Sequence, residues 1–159
     1  EGTVCNALAS GIDILPTLAS LAQSPMPEQQ IDGVNLSELI RGNFEAKPRN
    51  SFLYYYRRNN LEAVRSGDWK LVFEHRGRTY ENNTIGQDGQ PGQTPENVLI
   101  EKGLYDLRRD PGERYDVMEF YPEVVAELEA LAEEAREDLG DDLTNAPGKN
   151  RREPGRVEE

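Results

Sequence analysis

Residues 61–77 read Leu-Glu-Ala-Val-Arg-Ser-Gly-Asp-Trp-Lys-Leu-Val-Phe-Glu-His-Arg-Gly, and no other stretch constrains the fold as much. Leu61 and Ala63, then Trp69, Leu71 and Phe73, recur at every second position, which puts each set on one face of a strand. Ser66-Gly67-Asp68 between them has turn chemistry, with Gly67 free to take positive φ. The pattern predicts a β-hairpin with strands over residues 61–65 and 69–74.

The rest of the chain extends this hairpin. Residues 52–56, Phe-Leu-Tyr-Tyr-Tyr, form a strand by propensity, and Arg57-Arg58-Asn59-Asn60 turns it toward the hairpin. Leu104-Tyr-Asp-Leu107 is a further short strand, with a turn at Asp110-Pro-Gly-Glu113. Residues 122–139 read as a helix: Pro122 suits its first position, Glu123 the positive dipole end and Gly140 its stop. Val124, Val125, Leu128, Leu131, Ala132, Ala135 and Leu139 form its apolar stripe. Upstream, residues 13–22 form a short helix with Asp13 as cap and Pro16 in the first turn. Its face of Ile14, Leu15, Leu18 and Leu21 must bury against something. A second short helix covers residues 36–41, with Asn35 and Glu38 spaced as a capping box and Gly42 ending it. Residues 76–103, polar and rich in Gly, Asn and Gln, read as a long structureless connection, functional or disordered. Residues 144–159 read as an extended tail. The fold class is α+β: a small antiparallel four-stranded sheet packed by one long C-terminal amphipathic helix, preceded by short helices.

Charge is distributed unevenly. Residues 47–78 hold eight basic side chains against three acidic ones, or +5; the remainder holds 10 against 27, or −17, giving the net −12. A basic, Tyr-rich strand region in an acidic chain marks a place where something anionic is met. Solvated sheet-edge charge, or pairing with the acidic helix, is the simpler account. The net charge argues against nucleic acid or an anionic membrane as partner, and no apolar run approaches the ~20 residues that span a bilayer. Cys5, the single cysteine, allows no internal disulfide. His75, the single histidine, excludes a multi-histidine metal site and a Ser-His-Asp arrangement around a second histidine. Asn82-Asn83-Thr84 matches the glycosylation acceptor triplet. The opening Glu-Gly-Thr, with neither Met nor a signal peptide, reads as a processed chain or a fragment.

Four phrases, in this order, resemble the C-terminal part of the sulfatase family, arylsulfatase type: Asp13-Ile-Leu-Pro-Thr-Leu18, Ile31-Asp32-Gly-Val-Asn-Leu36, Ala63-Val-Arg-Ser-Gly-Asp-Trp-Lys-Leu71 and Leu104-Tyr-Asp-Leu-Arg-Arg-Asp-Pro-Gly-Glu113. Asp138-Leu-Gly-Asp141 and Arg152-Glu-Pro-Gly-Arg156 are similar to bacterial members close to arylsulfatase A and N-acetylgalactosamine-6-sulfatase. The resemblance implies a sulfuric ester hydrolase of the alkaline-phosphatase superfamily. Residues 1–45 would close its α/β catalytic domain, residues 46–143 would be its C-terminal subdomain, and residues 144–159 a tail. It also implies a formylglycine nucleophile and a calcium ion in the full-length enzyme, both held upstream. Cys5-Asn-Ala-Leu-Ala lacks the Cys-x-Pro/Ala-Ser-Arg motif, so neither catalytic residues nor metal ligands are expected in this segment, and the segment alone is expected to release no sulfate.

The resemblance leaves substrate recognition to this part of the chain, with Tyr54, Tyr56, Arg57, Arg58, His75 and residues 76–103 as candidates. Arg suits sulfate or carboxylate by bidentate hydrogen bonding, and Tyr rings suit sugar faces. Packing roles for Tyr54 and Tyr56, and a strand-end role for His75, are the alternative. The implied partners are a sulfated carbohydrate or aryl sulfate and the N-terminal catalytic domain; the family implies a periplasmic or secreted location. The competing readings are a stand-alone binding module and part of a phosphate or phosphonate ester hydrolase.

Overall fold

The computed structural model describes residues 2, 4–26, 28, 30–81 and 83–151. Asn82 of the glycosylation triplet and the phrase at residues 152–156 lie outside the described residues. The chain divides into two compact units, Glu1–Phe52 and Leu53–Glu159.

In the first unit a 3-10 turn, Gly11–Asp13, leads into α1 (Ile14–Leu21), and α2 follows at Ser37–Ile40. Asp13 sits at the head of α1, but its side chain does not cap that helix. Its fully buried carboxylate accepts from the N–H groups of Ser10 and Val34, each at 2.8 Å, and from Arg49 Nε at 3.1 Å. Burial alone would raise its pKa; the Arg49 guanidinium and the two amides outweigh burial and hold the carboxyl below its usual range. The backbone of residues 31–34 crosses tightly here. A Cβ on Gly33 would lie 2.1 Å from the Ile12 carbonyl oxygen, so only glycine fits. Asn35 and Glu38 do not form the expected capping box. Asn35 Oδ1 accepts from Ser37 N–H at 2.9 Å, while Glu38 pairs with Arg41 at 3.0 Å. Ile14, Leu15, Leu18 and Leu21 are exposed.

The strands in chain order are β1 (Ser51–Tyr56), β2 (Asn60–Ser66), β3 (Trp69–Val72), β4 (His75–Gly77), β5 (Val98–Ile100) and β6 (Gly103–Asp106). The main sheet has the order β1-β2-β3-β6. The hairpin forms as expected, with Ser66 opposite Trp69 and Gly67 at φ 56°, so the connection is the Gly67-Asp68 pair. Register places Val64, Leu71 and Leu104 side by side, and all three are fully buried. α3 (Pro122–Leu139) lays Leu128, Ala132 and Ala135 into the same core. The small residues Ala132 and Ala135 let the helix approach the sheet closely, while Trp69 and Tyr121 meet at 4.7 Å at its margin.

Two further expectations differ from the structure. Residues 76–103 are not structureless: β4 and β5 pair antiparallel at their roots, and Thr84 bridges Gln93 further out. These strands are three residues long, too short for a period of two to develop. Residues 144–151 are not an extended tail either. Asp141 bridges Ala146, and the N–H groups of Lys149 and Asn150 donate to the carbonyls of Glu137 and Asp138 at 2.9 and 2.8 Å, folding the segment back along α3.

Candidate functional site

The β1–β2 turn carries the consecutive Arg57 and Arg58, and its shape is set by residues that end and follow α3 in the chain. Arg57 and Arg58 are consecutive left-handed residues, φ 47° and 77°, the conformation that tight hairpin turns demand and that Asn-Gly adopts most easily. Each non-glycine residue held this way costs about 1–2 kcal/mol, so the surroundings must enforce it. They do. Asn59 donates from Nδ2 to the Leu139 carbonyl at 3.0 Å and accepts from Asp142 N–H at 2.9 Å. The Tyr55 hydroxyl donates to the Gly140 carbonyl at 2.8 Å. Asp141, fully buried, accepts from Leu61 N–H at 3.1 Å and from Arg136 Nε at 3.0 Å. Burial, then the Asp141 charge, push the Tyr55 phenol up to about 12.

On this anchored turn, Tyr56 is 60% exposed, and both Arg57 and Arg58 are exposed. Arg57 Nη1 donates to the Arg76 carbonyl on β4 at 3.2 Å, which brings a third arginine to the site. Arg76 is exposed and donates from Nη1 to the Asn97 carbonyl at 3.0 Å. Among the described residues none of these three guanidinium groups pairs with a carboxylate, whereas the neighbouring Arg78 is matched by Glu96 at 2.5 Å.

The other two candidates are placed elsewhere. Tyr54 lies under Lys70, with Nζ 4.7 Å from the ring centre, and Lys70 is held by both oxygens of Glu113 at 2.7 and 2.8 Å. His75 turns inward, its side chain 8% exposed, with Nδ1 2.7 Å from the Phe73 carbonyl and Nε2 3.2 Å from Glu62 Oε2. Within residues 76–103 the sequence did not single out Arg76. Its signal was alternation, since β4 turns His75 and Gly77 inward and Arg76 outward.

Chemically, the corner can bind an oxyanion through donors that are fixed in charge and fork-shaped. Among the described residues no group of three or more His, Cys, Asp or Glu could hold a metal ion, and Cys5 is exposed.

A family profile described as the C-terminal region of aryl-sulfatase matches residues 47–154. Bovine arylsulfatase A is 35% identical over 131 residues, covering 78% of this chain and 25% of that protein. The N-acetylgalactosamine-6-O-sulfatase of Bacteroides thetaiotaomicron is 30% identical over 135 residues, covering 82% and 24%. This chain thus spans about a quarter of the length of the curated relatives it matches. Among solved structures, a Bacteroides thetaiotaomicron protein described under the metabolism of multiple glycosaminoglycans aligns at TM-score 0.57 and 28% identity, over 83% of this chain and 26% of its own. A Pseudoalteromonas sulfatase aligns at TM-score 0.64 and 15% identity, over 94% and 28%, a likeness of fold alone. The described phrases, the α+β fold and these matches agree: the chain belongs to the aryl-sulfatase family, as its C-terminal region.

Proposed function

We propose that this chain is the C-terminal part of an enzyme that hydrolyses sulfate esters of an anionic sugar, and that the β1–β2 turn borders its substrate cleft. The catalytic portion, built on an alkaline-phosphatase-like α/β domain that residues 1–45 would complete, would supply the formylglycine and the calcium ion. Residues 46–143 would form the subdomain that borders the cleft. The observation that carries the reading is that Arg57, Arg58 and Arg76 lack a carboxylate partner among the described residues of a chain with net charge −12. An acidic chain would be expected to neutralise such groups unless an external anion uses them. Sulfated sugar as the substrate class is supported by the names of the N-acetylgalactosamine-6-sulfatase relatives. The exposed apolar residues of α1 support a larger enzyme over a free-standing module, because an isolated module would carry polar side chains there.

Arg57→Ala in the full-length enzyme tests the reading. KM for a sulfated oligosaccharide should rise about tenfold with kcat nearly unchanged, as for loss of uniform binding. A small aryl sulfate, which has no second anionic group, should be hydrolysed as before. An unchanged KM for the oligosaccharide would remove Arg57 from the cleft.

A further inference from the structure

Resting on that reading of the turn, we infer that Arg57, Arg58 and Arg76 form one corner that binds a sulfate or carboxylate borne by a sugar, and that the buried Glu62–His75 pair is the positioning device that holds this corner together. His75 is then not a ligand contact. Both of its ring nitrogens face acceptors inside the chain, the Phe73 carbonyl at 2.7 Å and Glu62 Oε2 at 3.2 Å, so whichever nitrogen carries a proton directs it inward. The ring is also packed from the side, since a Cβ on Gly77 would lie 3.2 Å from its Nε2.

The consequence for the corner follows from the alternation of β4. With His75 fixed toward Glu62 of β2, the next residue must face outward, and Arg76 opposite Leu99 does so. The same fixing presents the Arg76 carbonyl to Arg57 at 3.2 Å, so the pair sets where the β1–β2 turn and β4 stand relative to each other. One donation leaves most of the five N–H groups of Arg57 free for a ligand. Arg58 follows on the strained turn at φ 77°, and strain of this kind persists where function requires it. Exposed Tyr56 provides an adjacent ring on which a sugar face can lie, the feature that favours a sugar-borne oxyanion over a free one. Glu74, between β3 and β4, is exposed and pairs with none of the three.

The test titrates the 159-residue chain with a chondroitin 6-sulfate oligosaccharide and with inorganic sulfate, at several salt concentrations. Wild type should bind the oligosaccharide more tightly than inorganic sulfate. Arg57→Ala and Arg76→Ala should each weaken binding about tenfold and flatten its salt dependence, because a charge contact is lost. His75→Phe keeps a ring of similar volume and removes its hydrogen bonds; it should weaken binding about tenfold with the salt dependence unchanged. His75→Gln, which can still donate to Glu62, should recover most of the loss. Trp69 fluorescence reports whether each variant folds, and a His75 ring N–H proton in wild type should exchange slowly by NMR. His75→Phe binding as wild type does, or flattening the salt dependence as Arg57→Ala does, would overturn the positioning role. Equal affinity for inorganic sulfate would overturn the sugar-borne ligand. If wild type binds neither probe, the substrate reading fails, and the corner assigned here fails with it; slow exchange of a His75 ring N–H proton would then support only the structural pairing.

Discussion

Asp141→Ala tests how the candidate corner is built. Asp141 Oδ1 accepts from the N–H groups of Leu61 at 3.1 Å and Leu143 at 2.9 Å, and Oδ2 accepts from Arg136 Nε at 3.0 Å. Truncation strands two backbone donors and leaves the 14%-exposed Arg136 side chain without its buried partner. Breaking a buried pair in this way costs about 3–5 kcal/mol. Arg136 keeps Glu133 at 2.6 Å and the Phe73 ring at 4.6 Å, which places the loss near the lower end, about 3 kcal/mol. That is a large share of the roughly 5–15 kcal/mol that a domain of this kind has.

Urea unfolding followed by Trp69, the one tryptophan, should show a lower midpoint with an unchanged slope. Asp141→Asn retains an acceptor for Leu61 and Leu143 but turns an amide toward Arg136, so its loss should fall between wild type and alanine. A loss below about 1 kcal/mol for alanine would mean that the stranded donors find other partners, and would refute the reasoning.

Two further outcomes follow from the same region. The Tyr55 phenol is pushed up to about 12 from 10, so the folded state favours its neutral form. Its contribution is whole below pH 10 and is lost as pH rises through 12. Alkaline unfolding of wild type and Tyr55→Phe should differ across that window, and parallel curves would contradict the assignment. Arg58→Gly relieves a left-handed non-glycine residue, so it should stabilise the second unit by about 1 kcal/mol while weakening oligosaccharide binding. A variant that gains stability and keeps full affinity would show that Arg58 has no part in the site.

The elements legible from sequence are those whose apolar spacing repeats. The hairpin around Gly67 and the helix Pro122–Leu139 have several consecutive turns or pleats of one pattern, and the structure reproduces both. β4 and β5 were missed because three residues complete no pattern, and their pairing joins segments more than 20 residues apart. Asp13 illustrates a different failure. Its position before an apolar run looks like a helix cap, but the choice of partner was made by Arg49 and Val34, which local sequence does not place beside it. The candidate site divides along the same line. Tyr56, Arg57 and Arg58 are contiguous and so stay together, whereas His75 and Tyr54 share their chemistry but not their direction. Arg76 reaches the corner only through the pairing of β4.

The folding back of residues 144–151 bears on why the arginines stay unpaired. α3 carries many of the chain's carboxylates, and a solvated acidic helix could have supplied partners to a basic turn nearby. Instead its C-terminal part is matched locally: Lys149 pairs with Glu137, Arg136 takes Glu133 and Asp141, and Arg151 lies 3.8 Å from Asp142. Apart from the Asp141 carboxylate, which Arg136 matches, the contacts that reach across to the β1–β2 turn are neutral ones, backbone and amide groups of Asn59, Leu139, Gly140 and Asp142 together with the Tyr55 hydroxyl. They hold the strained backbone in place and leave the guanidinium charge of Arg57 and Arg58 unspent. Anchoring by neutral groups and local neutralisation of the helix are two separate features, and both are needed for an acidic chain to present a cationic corner.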